Sequence, residues 1–173
     1  CGVTRPIEWR LKQLRAIKKL LLENKDEITK AVQADLRRPE TECILAETFS
    51  AVGEVDHAIE NLASWMEPES VPTPLAQKPG TSEIRRDPVG VVLVISPWNF
   101  PINLCINPLT LALAAGNTVV IKPSEVSCHS ANFLGRVLPR YLPSDAVKIV
   151  QGGVPETTAL LEQRFDHIIY TGG

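Results

Sequence analysis

Apolar residues in the first third of the chain recur at steps of three and four. Ile7, Leu11, Leu14, Ile17 and Leu21 form one stripe among lysines and arginines, which predicts an amphipathic helix. A second helix is expected from Asn24 or Asp26, both good caps, with Ile28, Val32 and Leu36 on one face. Pro39 suits the first turn of a third, long helix. Its predicted inner side is Leu45, Phe49, Val52, Ile59, Leu62 and Met66, and it tolerates Gly53 at some cost.

The pattern then breaks. Pro68, Pro72, Pro74, Pro79 and Gly80 make an extended connector, because proline fixes φ and cannot continue a helix. From residue 88 the chain alternates. "VGVVLVIS" (89–96) is an almost unbroken valine-rich run, as expected of a strand buried on both faces. "INLCINPLTLALAAG" (102–116) reads as a helix with Pro108 at a kink or early turn, and "NTVVIKPS" (117–124) as a second strand. A helix at 127–142, a strand then turn at 146–153, a short helix at 155–163 and a strand in "DHIIYTGG" complete the series. Strand and helix in alternation imply an α/β fold with a doubly wound parallel sheet and right-handed crossovers. The expected organisation is an N-terminal helical layer at 1–66, a proline-rich connector at 67–87 and a Rossmann-like core at 88–173.

Composition narrows the function. Hydrophobic residues are 44% and charged residues 22% of the 173, the balance of a globular protein. The net charge of −2 argues against a dedicated nucleic-acid binder, so no nucleic-acid partner is expected. Residues 1–38 hold ten Lys/Arg against five Asp/Glu, which reads as a basic solvated face on the helices. Cys1, Cys43, Cys105 and Cys128 are scattered without zinc-like spacing, and His57, His129 and His167 lie far apart, so no metal is expected. Reduced thiols and the lack of a signal-peptide pattern place the chain in the cytoplasm. The chain opens on Cys1, has its only methionine at Met66 and stops on a turn, so both ends read as cut.

In open parallel sheets, ligands bind beyond the carboxyl ends of the strands. Four segments occupy that edge: Ser96–Pro101, Lys122–Glu125, Gly152-Gly153 and Thr171-Gly172-Gly173. Asn99 is flanked by Trp98 and Phe100, and Pro97 and Pro101 bracket those. A fixed amide there suits stabilisation of a developing oxyanion, and it equally suits capping of the following helix. Lys122 and Glu125 suit the hydroxyls of a ribose, or else a helix start with a solvated lysine. No GxGxxG is present, and the glycine pairs are as compatible with plain turns as with a ligand. Cys105 is the thiol nearest this edge, where a core cysteine is the commoner role.

Together these residues are recognisable. "PVGVVLVISPWNFPINL", "GNTVVIKPSEVS", "GGVPETTALLEQRFDHIIYTG" and the helical start "TRPIEWRLKQLRAIKKLL" resemble the aldehyde dehydrogenase superfamily, in its class 3, fatty aldehyde dehydrogenase-like branch. The resemblance implies oxidation of aldehydes, medium- or long-chain ones included, to carboxylic acids with NAD, NADP remaining open. It makes Asn99 the oxyanion-hole asparagine, and Lys122 and Glu125 the ligands of the adenosine ribose. Ile95, Ser96 and Trp98 would line the cofactor cleft, Gly153 would lie near the adenine, and Gly172 and Gly173 would begin the turn under the pyrophosphate. The family usually has Ser or Asn where this chain has Gly173. It also uses a cysteine nucleophile and a glutamate base that match no position here, so the chain reads as the front part of an enzyme that would be a homodimer at full length. The rival readings are an acyl-phosphate reductase, which the Trp98-Asn99-Phe100 loop disfavours, and a non-catalytic nucleotide-binding or interaction fragment.

Overall fold

The computed structural model describes residues 2–173. Helices α1 (Ile7–Glu23) and α2 (Lys25–Leu36) form where the 3.6-residue apolar period runs, and they bury Leu14, Ile17, Leu20, Leu21, Ile28 and Val32. Arg37 takes a left-handed conformation, φ 52°, and ends α2.

The third predicted helix differs from expectation. It starts as α3 (Glu40–Cys43), widens into a π-helical turn over Ile44–Phe49, and continues as α4 (Ser50–Met66). A π turn carries one residue more than an α turn, so it rotates the inward face along the helix. Leu45 and Phe49 are therefore exposed at 59% and 49%, and Met66 also lies at the surface. Leu62 is buried as expected, while Cys43, Glu47, Thr48, Ala51, Val55 and Ala58 supply the rest of the inward face.

The proline-rich connector is not wholly extended. Glu69–Val71 (β1) pairs antiparallel with Ser82–Ile84 (β2), and a single 3₁₀ turn at Leu75–Gln77 lies between them. Two three-residue strands separated by prolines carry too little alternation to register as a hairpin in sequence.

The main sheet has four parallel strands, β3 (Val91–Ile95), β4 (Thr118–Lys122), β5 (Val147–Ile149) and β6 (His167–Tyr170), in the order β5-β4-β3-β6. Val92, Leu93 and Val94 are buried on both faces of β3, as the unbroken apolar run requires. Helix α5 (Asn103–Ala114) links β3 to β4, α6 (Cys128–Tyr141) links β4 to β5, and α7 (Val154–Leu161) carries the chain from β5 back past β3 to β6. The strand order reverses at β3, so right-handed crossovers put α7 on the opposite face from α5 and α6. One buried cluster joins α1, α2, α4, α5 and α6 to Val92, Val94, Val119, Ile121 and Val147 of the sheet.

Gly116 closes α5 with φ 86°, a conformation that side chains disfavour. Its open side is filled by the Arg10 guanidinium, which donates to the Ala114 carbonyl at 3.0 Å at the negative end of the helix.

Candidate functional site

The register aligns Ile95, Lys122 and Tyr170 across three strands, so the loops that follow them leave the sheet side by side. The strand order reverses between β3 and β6, and there a crevice of about 330 Å³ opens. Pro97, Trp98, Asn99, Leu104, Thr171, Gly172 and Gly173 line it. A reversal point at the carboxyl edge is where doubly wound sheets hold ligands. A larger cavity of about 520 Å³ lies at the amino ends of the strands, lined by Gly2, Thr4, Arg5, Gly90, Gly116 and Thr118 among others. That edge of a parallel sheet lacks the convergent loops of a site, and its lining offers one guanidinium, the Thr4 and Thr118 hydroxyls and backbone.

The sequence-predicted residues fall into two neighbouring groups. Ile95 is half-buried at the end of β3, and Ser96 is 4% exposed, with its Oγ donating to the Leu104 carbonyl at 2.8 Å. Trp98 and Asn99 are exposed at the crevice, and Gly172 and Gly173 face them. Thr171 N–H donates to the Ile95 carbonyl at 3.1 Å, tying the two sides together. A Cβ on Gly173 would meet no atom within 4 Å, so the backbone there accommodates the Ser or Asn that the resemblance leads one to expect.

Lys122, Glu125 and Gly153 form the second group. The Lys122 side chain is 6% exposed, and its Nζ donates to Glu125 Oε2 at 2.6 Å. This pairing replaces the solvated lysine of the simpler reading. Gly153 adjoins it: a Cβ there would lie 4.0 Å from Glu125 Cγ. Gly152 turns the chain with φ 147°, and Glu156 Oε2 accepts the Gly153 N–H at 2.8 Å to start α7. The Lys122 hydrogen bond, with a backbone bond second, holds the Glu125 carboxyl below its ordinary value. The pair therefore stabilises the fold above the usual carboxylate range and loses that contribution as pH falls through the lowered value. Lys122→Met is expected to flatten the acid limb of the stability–pH curve below about pH 4.3, measured by thermal melts across pH.

Asn99 is not the cap of α5. The first free N–H groups of that helix, on Ile102 and Asn103, donate to Glu47 Oε2 at 3.1 and 2.8 Å. Glu47 is fully buried, and its other oxygen accepts from Arg38 Nη1 at 3.2 Å. Arg38 also donates to the Asn99 carbonyl at 2.6 Å and lies over the Phe100 ring, 4.6 Å from its centre. Neither residue was a candidate in the sequence. The one local signal is a glutamate at an inward helical position, hidden because the π turn shifts which positions face inward.

Among the described cysteines, Cys43 and Cys105 are buried and Cys128 is exposed, and Cys1 lies outside the described residues. Burial pushes the Cys105 thiol up to about 12, which suits a core cysteine rather than a nucleophile. Cys128, His129 and Asp35 bring one ligand atom each within 4.8 Å of one another. Both Asp35 oxygens are engaged by α6, accepting the His129 and Ser130 N–H groups at 3.0 and 2.8 Å, so the cluster is a helix cap.

The fold and this edge define a doubly wound α/β protein with a crevice at the reversal of its strand order. A family model described as the aldehyde dehydrogenase family matches residues 4–173. Mouse dimeric NADP-preferring aldehyde dehydrogenase is 44% identical over 171 residues, covering 99% of this chain and 38% of that protein. Aldehyde dehydrogenase family 3 member A2 of Macaca fascicularis is 43% identical over 171 residues, covering 99% of this chain and 35% of its own length. Among solved structures, Staphylococcus aureus AldH in a substrate-bound state superposes with a TM-score of 0.94 at 32% identity, covering 96% of this chain and 36% of that one. The chain belongs to the aldehyde dehydrogenase family, and spans little more than a third of the length of these relatives.

Proposed function

We propose that this chain provides the dinucleotide-binding part of an NAD(P)-dependent aldehyde dehydrogenase, together with one oxyanion donor. The observation that carries this is the convergence at one sheet edge of the buried-lysine pair Lys122–Glu125, the glycine turns and an exposed Asn99. The residues fit a dinucleotide. Lys122 and Glu125 present a donor and an acceptor for a ribose diol, Gly153 leaves room beside Glu125 for a flat base, and Gly172 and Gly173 let a ligand approach the backbone. A bound NAD(P) would supply the acceptor for a hydride. Lys122 and Glu125 would hold its ribose, Trp98 would cover the crevice, and the Asn99 amide would donate to the substrate oxygen as negative charge develops on it. The cysteine nucleophile and the base that complete such a reaction have no counterpart among these residues.

Glu125 bears on cofactor choice. A carboxylate held in its charged form beside the ribose repels a 2′-phosphate, so NAD is favoured over NADP. In an active enzyme carrying this chain, Glu125→Gln is expected to raise the NADP-to-NAD ratio of kcat/KM. An unmoved ratio removes the ribose assignment. Dinucleotide binding by the chain itself, followed through Trp98 fluorescence in a Trp9→Phe/Trp65→Phe background, tests the broader reading. Substrates are proposed to be apolar aldehydes, with a homodimeric, cytoplasmic enzyme as the working form.

A further inference from the structure

Glu47 is a carboxylate with 0% exposure, placed at the start of α5 by a π turn. π turns inside α-helices are costly and concentrate at functional sites. A helix start is ordinarily capped by a Ser, Thr, Asp or Asn of its own sequence. Here the cap comes from a helix 55 residues earlier in the chain and is itself held by Arg38. Buried ion pairs are poor stabilisers, because desolvation offsets their attraction, but they specify geometry. Burial pushes the Glu47 carboxyl up despite two backbone donors and the Arg38 charge.

What the pair holds is the Asn99 loop. Arg38 holds the backbone directly after the Asn99 side chain, by its bond to the Asn99 carbonyl and its stacking on Phe100. Its Nε is engaged by Glu42 Oε1 at 3.1 Å, so three carboxylate or carbonyl oxygens fix one planar fork. Glu47 grips the Ile102 and Asn103 N–H groups, and the Asn103 side chain returns to the Ala46 carbonyl at 2.7 Å and Ser50 Oγ at 3.1 Å. Arg38 and the π turn thus together clamp the loop from the Asn99 carbonyl to Asn103.

We propose that Arg38 and Glu47 are positioning residues that set the direction in which the Asn99 amide is presented. The inference rests on the reading of Asn99 as the oxyanion donor. Its physical half is testable on the chain itself by ¹⁵N relaxation at the Trp98 indole, the Asn99 side-chain amide and the backbone N–H groups of residues 98–100, 102 and 103. Arg38→Ala is expected to drop order parameters there from about 0.85 toward 0.6 or below, with β3, β4 and α6 unchanged. Arg38→Lys keeps the charge but loses the fork, so it gives an intermediate loss. Lys18→Ala, which breaks the surface pair with Asp56 at 2.7 Å, controls for general destabilisation. A rigid loop in folded Arg38→Ala overturns the proposal, as does loosening matched by Lys18→Ala. If Glu47→Gln fails to fold, the Arg38 series decides.

The catalytic half is read in an active enzyme carrying this chain. Arg38→Ala is expected to lower kcat roughly 10- to 10²-fold with Asn99 present, and to add nothing once Asn99 is alanine. Independent, multiplying losses overturn positioning through Asn99. Normal turnover of Asn99→Ala alone overturns the oxyanion reading, whereas the relaxation result stands or falls separately.

Discussion

Asn99→Ala, made in an active enzyme carrying this chain, is expected to lower turnover by roughly 10²–10³, the usual loss when one preorganised oxyanion donor is removed. The geometry separates this role from its rival. Were Asn99 a helix cap, the substitution would cost stability and leave kcat close to normal. The capping bonds of α5 go to Glu47, so the melting temperature of Asn99→Ala should hardly move. Dinucleotide affinity should also change little, because the proposed ribose pair lies on β4 and its loop rather than on the loop after β3. Steady-state kinetics, cofactor titration and a thermal melt on one variant check all three. A variant with normal turnover removes Asn99 from the chemistry.

Thiol reactivity should divide the cysteines by several orders of magnitude. Burial pushes the Cys105 thiol up to about 12, so little of it is thiolate at neutral pH. Full burial slows it further. Cys43 is likewise buried, with its thiol raised chiefly by desolvation. In a Cys1→Ser background, a thiol reagent under native conditions should modify Cys128 rapidly, and Cys43 and Cys105 only on unfolding. Mass mapping of labelled peptides reads the result. Rapid native labelling of Cys105 would reopen its candidacy as a nucleophile.

Much of the architecture was legible without coordinates. The run at 89–96 is apolar at nearly every position and Val119-Val120-Ile121 centre the run at 117–124, as strands covered on both faces require. The intervening helical periods leave parallel pairing as the sole short connection. The placement of Ser96, Lys122, Gly153 and Gly172 at one edge followed from that topology, since each is a polar or glycine residue just past a strand. The first two helices were equally clear, because the apolar stripe of α1 repeats unbroken.

Other features left no local trace. Leu45, Phe49 and Met66 fit a regular helical stripe, yet the π turn at Ile44–Phe49 carries the inward face to Glu47, Thr48 and Ala51. A period of 3.6 read along the chain cannot register one inserted residue whose cost is met by contacts elsewhere. The hairpin of β1 and β2 hides for a similar reason, since three paired residues on each side depend on the chain between them closing. Lys122 and Glu125 are three apart, so a pair between them was foreseeable from spacing. Arg38 and Asn99 are 61 residues apart. The residue types at the sheet edge, and the order in which strands reach it, are local properties and are written in the local pattern. The contacts that hold the backbone at Asn99 come from Arg38, between two distant helices, and from the buried Glu47 that pairs with it, and long-range contacts of that kind exist only once the chain has folded.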